Sequence, residues 1–165
     1  MAFDTYIQID TVDGEATQAK HTKWIEIYSF SWGASNPTTV GSGSTGLSAG
    51  KVSVSSFNIM KKTETSSPKL FAACCAGQHF PKATVEMCKA TGTSGEQQVF
   101  LKYVFTDVMI ESVQWSGSSG GDDTPTESVS MAFAKVAITY SKQDEATGAM
   151  SSAGDASWDL TKVSK

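Results

Sequence analysis

Four apolar alternations in this chain change phase partway along, and this constrains the fold more than any other feature. Between residues 99 and 105 the apolar side chains fall at odd positions (Val99, Leu101, Tyr103, Phe105), and from Val108 and Ile110 they fall at even ones. Ile25 and Ile27 give way to Tyr28, Phe30 and Trp32, and Val52 and Val54 to Phe57 and Ile59. Val129, Met131 and Phe133 give way to Val136, Ile138 and Tyr140. A strand with one buried face keeps one phase, because side chains alternate with period two. A switch needs a bend or bulge where the strand passes between two sheets. Failing that, each end buries a different face, one of them against another subunit. Four switches point to a barrel-like double sheet and leave burial against a second subunit open.

Strand patterns run over residues 6–9, 22–32, 52–60, 83–89, 99–113, 128–140 and 156–163. About seven strands in one short chain suit a sandwich or barrel. One helix is predicted over about 67–76. Ser67 suits the N-cap, Pro68 the first helical position and Gly77 the left-handed C-terminal cap. Leu70, Phe71 and Cys74 form its apolar stripe, by which it docks on the sheets. Residues 34–50 read as a long extended loop, and a loop of that length in a compact domain is expected to bind something or to lack order. Residues 116–125 and 142–155 also lack a core pattern. The fold class is therefore mainly β: a two-sheet barrel or sandwich with one short α-helix, in a single domain over residues 1–165.

Composition narrows the function classes. Charged residues make up 18%, the net charge is −4 and the pI about 5.1, with no basic groove for nucleic acid. The one basic pair, Lys61-Lys62, reads as a solvated strand end. Cys74, Cys75 and Cys88 are an odd number at irregular spacing, which argues for reduced, mostly buried thiols of a cytosolically folded protein. The N-terminal residues lack the basic start and apolar run of a signal peptide. No stretch approaches the ~18 apolar residues of a membrane span, so export would follow a route without a cleaved signal.

Several motifs match in letters only. Residues 41–46 fit G-x-G-x-x-G, but a strand pattern follows where dinucleotide binding needs a helix N-terminus. Residues 46–51 fall one residue short of a P-loop. Residues 46–50 and 117–121 fit G-x-S-x-G, which works only on a strand-to-helix turn with His and Asp partners. Neither leads into a helix, and His21 and His79 are the only histidines. Cys74, Cys75 and His79 lack zinc-ligand spacing. Asp107 and Glu111, a carboxylate pair on one strand, are better explained by exposure near the phase switch. No catalytic, cofactor or metal site is predicted.

Ordered segments carry a resemblance along the whole chain. Tyr6-Ile7-Gln8-Ile9-Asp10 with Gly14-Glu15, Glu26-Ile27-Tyr28-Ser29-Phe30-Ser31-Trp32-Gly33, and Gly50-Lys51-Val52-Ser53 come first. Ser67-Pro68-Lys69-Leu70, then Asp107-Val108, Ser112-Val113 and Ser116-Gly117 follow. Pro125-Thr126-Glu127-Ser128-Val129 with Phe133-Ala134-Lys135-Val136, and finally Trp158-Asp159-Leu160, complete the order. In these segments the chain resembles the Hcp (haemolysin-coregulated protein) family, tube subunits of type VI secretion. The resemblance implies a two-sheet barrel flanked by a helix, hexameric rings that stack into a tube, and a lumen that carries or shelters effectors. It implies sheath, spike and effector proteins as partners, no nucleic acid, no membrane insertion and no enzyme activity. It implies passage from cytoplasm to the exterior through the type VI system. The family's long loop after the second strand reaches toward neighbouring subunits, which places contacts here at Thr38, Thr39, Val40, Leu47 and Lys51. The chain stops soon after Trp158-Asp159-Leu160, which fits a plain tube subunit without an added effector domain.

Two other readings compete. A monomeric β-sandwich binding module, for carbohydrate for instance, would use Trp24, Trp32, Trp115 or Trp158. A phage-type tail tube protein would share the fold.

Overall fold

The computed structural model describes residues 2–42, 46–91, 95–121 and 123–165. The main sheet contains β1 (Asp4–Ile9), β2 (Ile25–Ile27), β3 (Ser29–Ser31) and the later strands β8 (Phe57–Lys62), β9 (His79–Ala90), β10 (Gln97–Ser116), β11 (Thr126–Gln143) and β12 (Met150–Asp159). Between β3 and β8 lie four short strands, β4 (Ala34–Ser35), β5 (Thr38–Val40), β6 (Leu47–Ala49) and β7 (Ser53–Val54). The helix α1 spans Ser67–Ala76.

The sheet runs β2-β1-β9-β10-β11-β8-β3, with β12 added on β11, and its strand pairs are antiparallel. Its two end strands are consecutive in sequence. Residues 25–27 pair with β1 and residues 29–31 with β8, so one segment closes the barrel. Tyr28 marks the handover, its N–H donating to Met60 O at 2.8 Å. This explains the phase switch in residues 25–32. The strand predicted there is two short ones, each burying a different face.

The other switches have local causes too. In β10, Phe105 and Val108 are both buried, and Asp107 between them takes φ 55°, the left-handed region that Asp tolerates better than most residues. Pairing places Phe105 across from Ala83 and Val136, and Val108 across from Phe80 and Phe133. The change of phase therefore crosses β9, β10 and β11 at one level, the line along which the sheet bends. A register shift at Glu111 against β11, and another near Phe100 against β9, add further curvature. Such devices are needed because β10 is 20 residues long, several times the usual ~5–6.

Side chains fill the barrel. Phe57, Phe105 and Phe133 pack in sequence with tilted rings, centroids 4.8 and 4.5 Å apart, and Trp32 meets Phe105 edge-on at 5.6 Å. Towards the helix the core continues through Leu70, Ala73, Phe80, Ile110 and Met131.

Four expectations need correction. The helix begins at Ser67 itself; Ser66 is the N-cap, and it makes no side-chain capping bond. The buried helix face is Ser67, Leu70 and Ala73, three residues apart on one side of the helix, while Phe71 is exposed and Cys74 half-buried. The segment 142–155 is not structureless: β11 reaches Gln143 and β12 starts at Met150, paired along backbone that needs no large side chains. Among the cysteines Cys88 alone is buried, and Cys75 on the outer helix face is exposed. Gly77 does close the helix, at φ 64°.

Candidate assembly surface

The segment 34–50 is a hairpin arm and not an open loop. β4 pairs with β7 at its root, and β5 pairs with β6 further out. Gly50 holds the two tiers together, its N–H facing Pro37 O at 2.8 Å and Asn36 Oδ1 at 2.9 Å. Gly41 N–H donates to Gly46 O across the end of β5–β6. Thr38 lies opposite Ala49, Thr39 opposite Ser48 and Val40 opposite Leu47, with Thr39 Oγ1 and Ser48 Oγ 2.6 Å apart. The outer tier thus brings Thr38, Thr39, Val40 and Leu47 together, while Lys51 stands at the root, past Gly50. All five are exposed. Val40 (81%) and Leu47 (70%) are the most exposed large hydrophobic residues among those described. The central residues of the G-x-G-x-x-G match, 43–45, lie outside the described residues.

Beside the arm root is an open cavity of about 350 Å³ whose lining includes Trp32, Ala34, Val52, Val54, Ile138 and Trp158. Its lining is almost wholly apolar. Trp158 Nε1 is buried and has no hydrogen-bond partner. A buried donor left unpaired costs roughly 1–3 kcal/mol.

Polar side chains within the barrel serve structure. Lys61 and Glu127 are both fully buried (0% exposed), pair directly across β8 and β11, and form an ion pair. Ser67 Oγ donates to Glu127 Oε1 at 2.8 Å, and Lys61 Nζ donates to Ser67 Oγ at 3.0 Å. This corrects the reading of Lys61 as a solvated strand end. Alternation carries the signal that was overlooked: Lys61 continues the inward phase of Phe57 and Ile59, and Glu127 that of Val129 and Met131. His21 is also buried, stacked on Tyr6 at 4.6 Å between Gln18 (2.6 Å from Nδ1) and Glu86 (2.7 Å from Nε2). Lys102 reaches the other Glu86 oxygen at 3.1 Å. Burial first, and then the Glu86 carboxylate, push the Cys88 thiol up to about 11. Burial, helped by Asp4 and Glu26, raises the Tyr6 phenol as well.

The catalytic candidates are scattered. Ser48 sits on a strand bonded to Thr39, and His79 pairs with Asp107 at 2.7 Å on the surface. Asp107 and Glu111 have separate partners, Glu111 accepting from Ser56 Oγ at 2.7 Å. Among the described residues no three His, Cys, Asp or Glu side chains are grouped as a metal site, and no helix is long and apolar enough to cross a membrane.

Comparison with known proteins gives a consistent result. The family model described as "Type VI secretion system effector, Hcp" matches residues 6–140. Protein hcp1 of Pseudomonas aeruginosa is 38% identical over 144 residues, covering 87% of this chain and 86% of that protein. A solved structure described as that of a type six secretion system protein aligns at TM-score 0.90 with 40% identity, covering 98% of each chain. Hcp1 from Salmonella typhimurium aligns at TM-score 0.78 with 32% identity, covering 99% of each. Family model, sequence identity and structural alignment agree, and the chain belongs to the Hcp family of type VI secretion system proteins.

Proposed function

We propose that this chain forms hexameric rings, and that these rings stack into the inner tube of a type VI secretion system whose lumen carries or shelters effectors. The exposed Val40–Leu47 pair on the arm carries this reading. A hairpin that holds two aliphatic side chains in solvent, away from its own core, is the anatomy of a contact awaiting a partner. Thr38, Thr39, Val40, Leu47 and Lys51 are its contact residues. Among the described residues, the outer edge of β12 ahead of Asp159 pairs with no strand, and this also supports assembly, because ring closure covers edges that otherwise invite uncontrolled pairing. Membership of the Hcp family supports the tube role, the sheath, spike and effector partners, and export by the type VI route. The role read here is structural and not enzymatic, and it rests on membership of the family.

Light scattering on a sizing column, with negative-stain images of the peak, tests the reading. The expected mass is near six chains, with annular particles. A single-chain mass across micromolar concentrations would sink it and would favour the monomeric binding module, to be followed by glycan screening.

A further inference from the structure

We infer that His21 is held as a doubly protonated imidazolium, and that this buried charge latches the segment between β1 and β2 onto β9 until rising pH removes the proton. The inference is independent of assembly and comes from what the two ring nitrogens face.

Nδ1 lies 2.6 Å from Gln18 Oε1. That oxygen also accepts the Lys20 N–H at 2.9 Å, so turning the amide over would set its NH2 group against a second donor. Gln18 therefore presents an acceptor, and Nδ1 must donate. Nε2 lies 2.7 Å from Glu86 Oε2, and Lys102 Nζ holds the other Glu86 oxygen at 3.1 Å. A carboxylate so placed accepts on both oxygens, and Nε2 must donate as well. A neutral imidazole has one N–H and one bare nitrogen. Either tautomer would set a lone pair against an oxygen at hydrogen-bond distance, in a residue only 1% exposed. The imidazolium alone satisfies both partners.

The surroundings suit a cation. Tyr6 from β1 stacks its ring on the imidazole at 4.6 Å, and aromatic faces attract positive charge. From β9, Cys88 Sγ lies 3.9 Å from Nε2, and its thiol, pushed up to about 11, stays neutral near neutral pH. Asp4 on β1 and Glu26 on β2 add negative charge around Tyr6. Lys20, the neighbouring cation on the segment, pairs with Glu96 at 3.2 Å.

The latch holds a segment that matters to barrel closure. His21 N–H donates to Gln18 O, Trp24 N–H to His21 O and Gly14 N–H to Lys23 O, so the segment is tied to itself around His21. It leads into β2, which with β3 closes the barrel. The folded chain keeps a proton that a free histidine releases near pH ~6.5, so the latch is full at low pH and is lost as pH rises.

Solid-state NMR of the sedimented full chain, labelled with 15N in histidine alone, tests the charge at pH 7.5, where a free histidine is about nine-tenths neutral. His79→Gln leaves His21 as the one imidazole. Both His21 ring nitrogens are expected to carry hydrogen, and a bare ring nitrogen at that pH overturns the inference. Glu86→Gln in the same background should produce the bare nitrogen. It should also speed amide exchange at Gly14, Lys23 and Trp24 roughly tenfold, the scale of one charge-assisted hydrogen bond, and leave β11 amides unchanged. A ring still doubly protonated in that variant, or unchanged exchange, overturns the latch. Should Glu86→Gln fail to fold, the single-histidine chain decides by titration. Raising its pH should strip the ring proton and loosen those amides at one midpoint, after allowance for the ordinary hydroxide dependence of exchange, and separate midpoints sink the latch.

Discussion

Lys61 and Glu127 show how one pair of residues can tie three elements together. They face each other across β8 and β11, and Ser67 joins them to the start of α1. Removing one member strands a buried charge, which costs about 3–5 kcal/mol, whereas replacing both with apolar groups avoids that penalty. Lys61→Met and Glu127→Leu should each lower stability by that amount in urea unfolding, and the double variant should lose much less than their sum. Additive losses would show that the pair is not coupled. Cys88 makes a pH prediction at the same scale. Its thiol is held near 11 against an ordinary 9.0, so the unfolded chain releases this proton first. Stability from this group is full below pH 9 and declines by roughly 2–3 kcal/mol as pH rises to 11. Unfolding followed from pH 8 to 11 should show that decline, and Cys88→Ala should flatten it. In native protein at pH 8, Cys75 should react with a thiol reagent well before Cys88.

Two glycines separate the elements that hold the barrel from the one that leaves it. A Cβ on Gly14 would lie 2.4 Å from Trp24 O, beside the buried Ile25. A Cβ on Gly50 would lie 2.7 Å from Pro37 O, in the exposed arm. Gly14→Ala should therefore destabilise the whole barrel by more than about 2 kcal/mol in thermal unfolding. Gly50→Ala should leave the melting temperature nearly unchanged but speed limited proteolysis within residues 36–50. Equal global effects would contradict the separation of arm and barrel. Much of this level was legible beforehand. Period-two patterns located the strands, and Pro68 and Gly77 bracketed the helix. The hairpin in the arm was not legible, because Thr-Thr-Val and Leu-Ser-Ala are too short to display a period. The strand read over 156–163 is β12, which runs instead over Met150–Asp159 and ends in a turn; its first residues were hidden likewise, since Ser, Ala and Gly pair through backbone and bury little.

At the scale of the whole molecule, the sheet joins segments far apart in the chain: the Gln97 side chain bonds to Asp4, and β1 lies between β2 and β9. Closing loops of that size is slow, because ordering must precede most of the contacts it secures. Refolding from urea, followed by tryptophan fluorescence, should take milliseconds to seconds; a microsecond phase carrying the full amplitude would refute this. The phase switches bear on shape at this scale. Three have their cause within one chain, at Tyr28, at Asp107 and along the level that β9, β10 and β11 share. The fourth coincides with the break between β7 and β8, where the arm returns to the barrel.

Sequence alone determined that the chain is mainly β with one helix, that its long strands bend, and that it resembles a particular family, because alternation and capping are local and the resemblance is carried by ordered segments. The tertiary structure alone decided which charges are interior, how residues 25–31 close the barrel, and that the 34–50 segment projects as a paired arm beside an apolar recess. Those features depend on which strand lies next to which, and strand neighbours here are set by packing between residues remote in sequence.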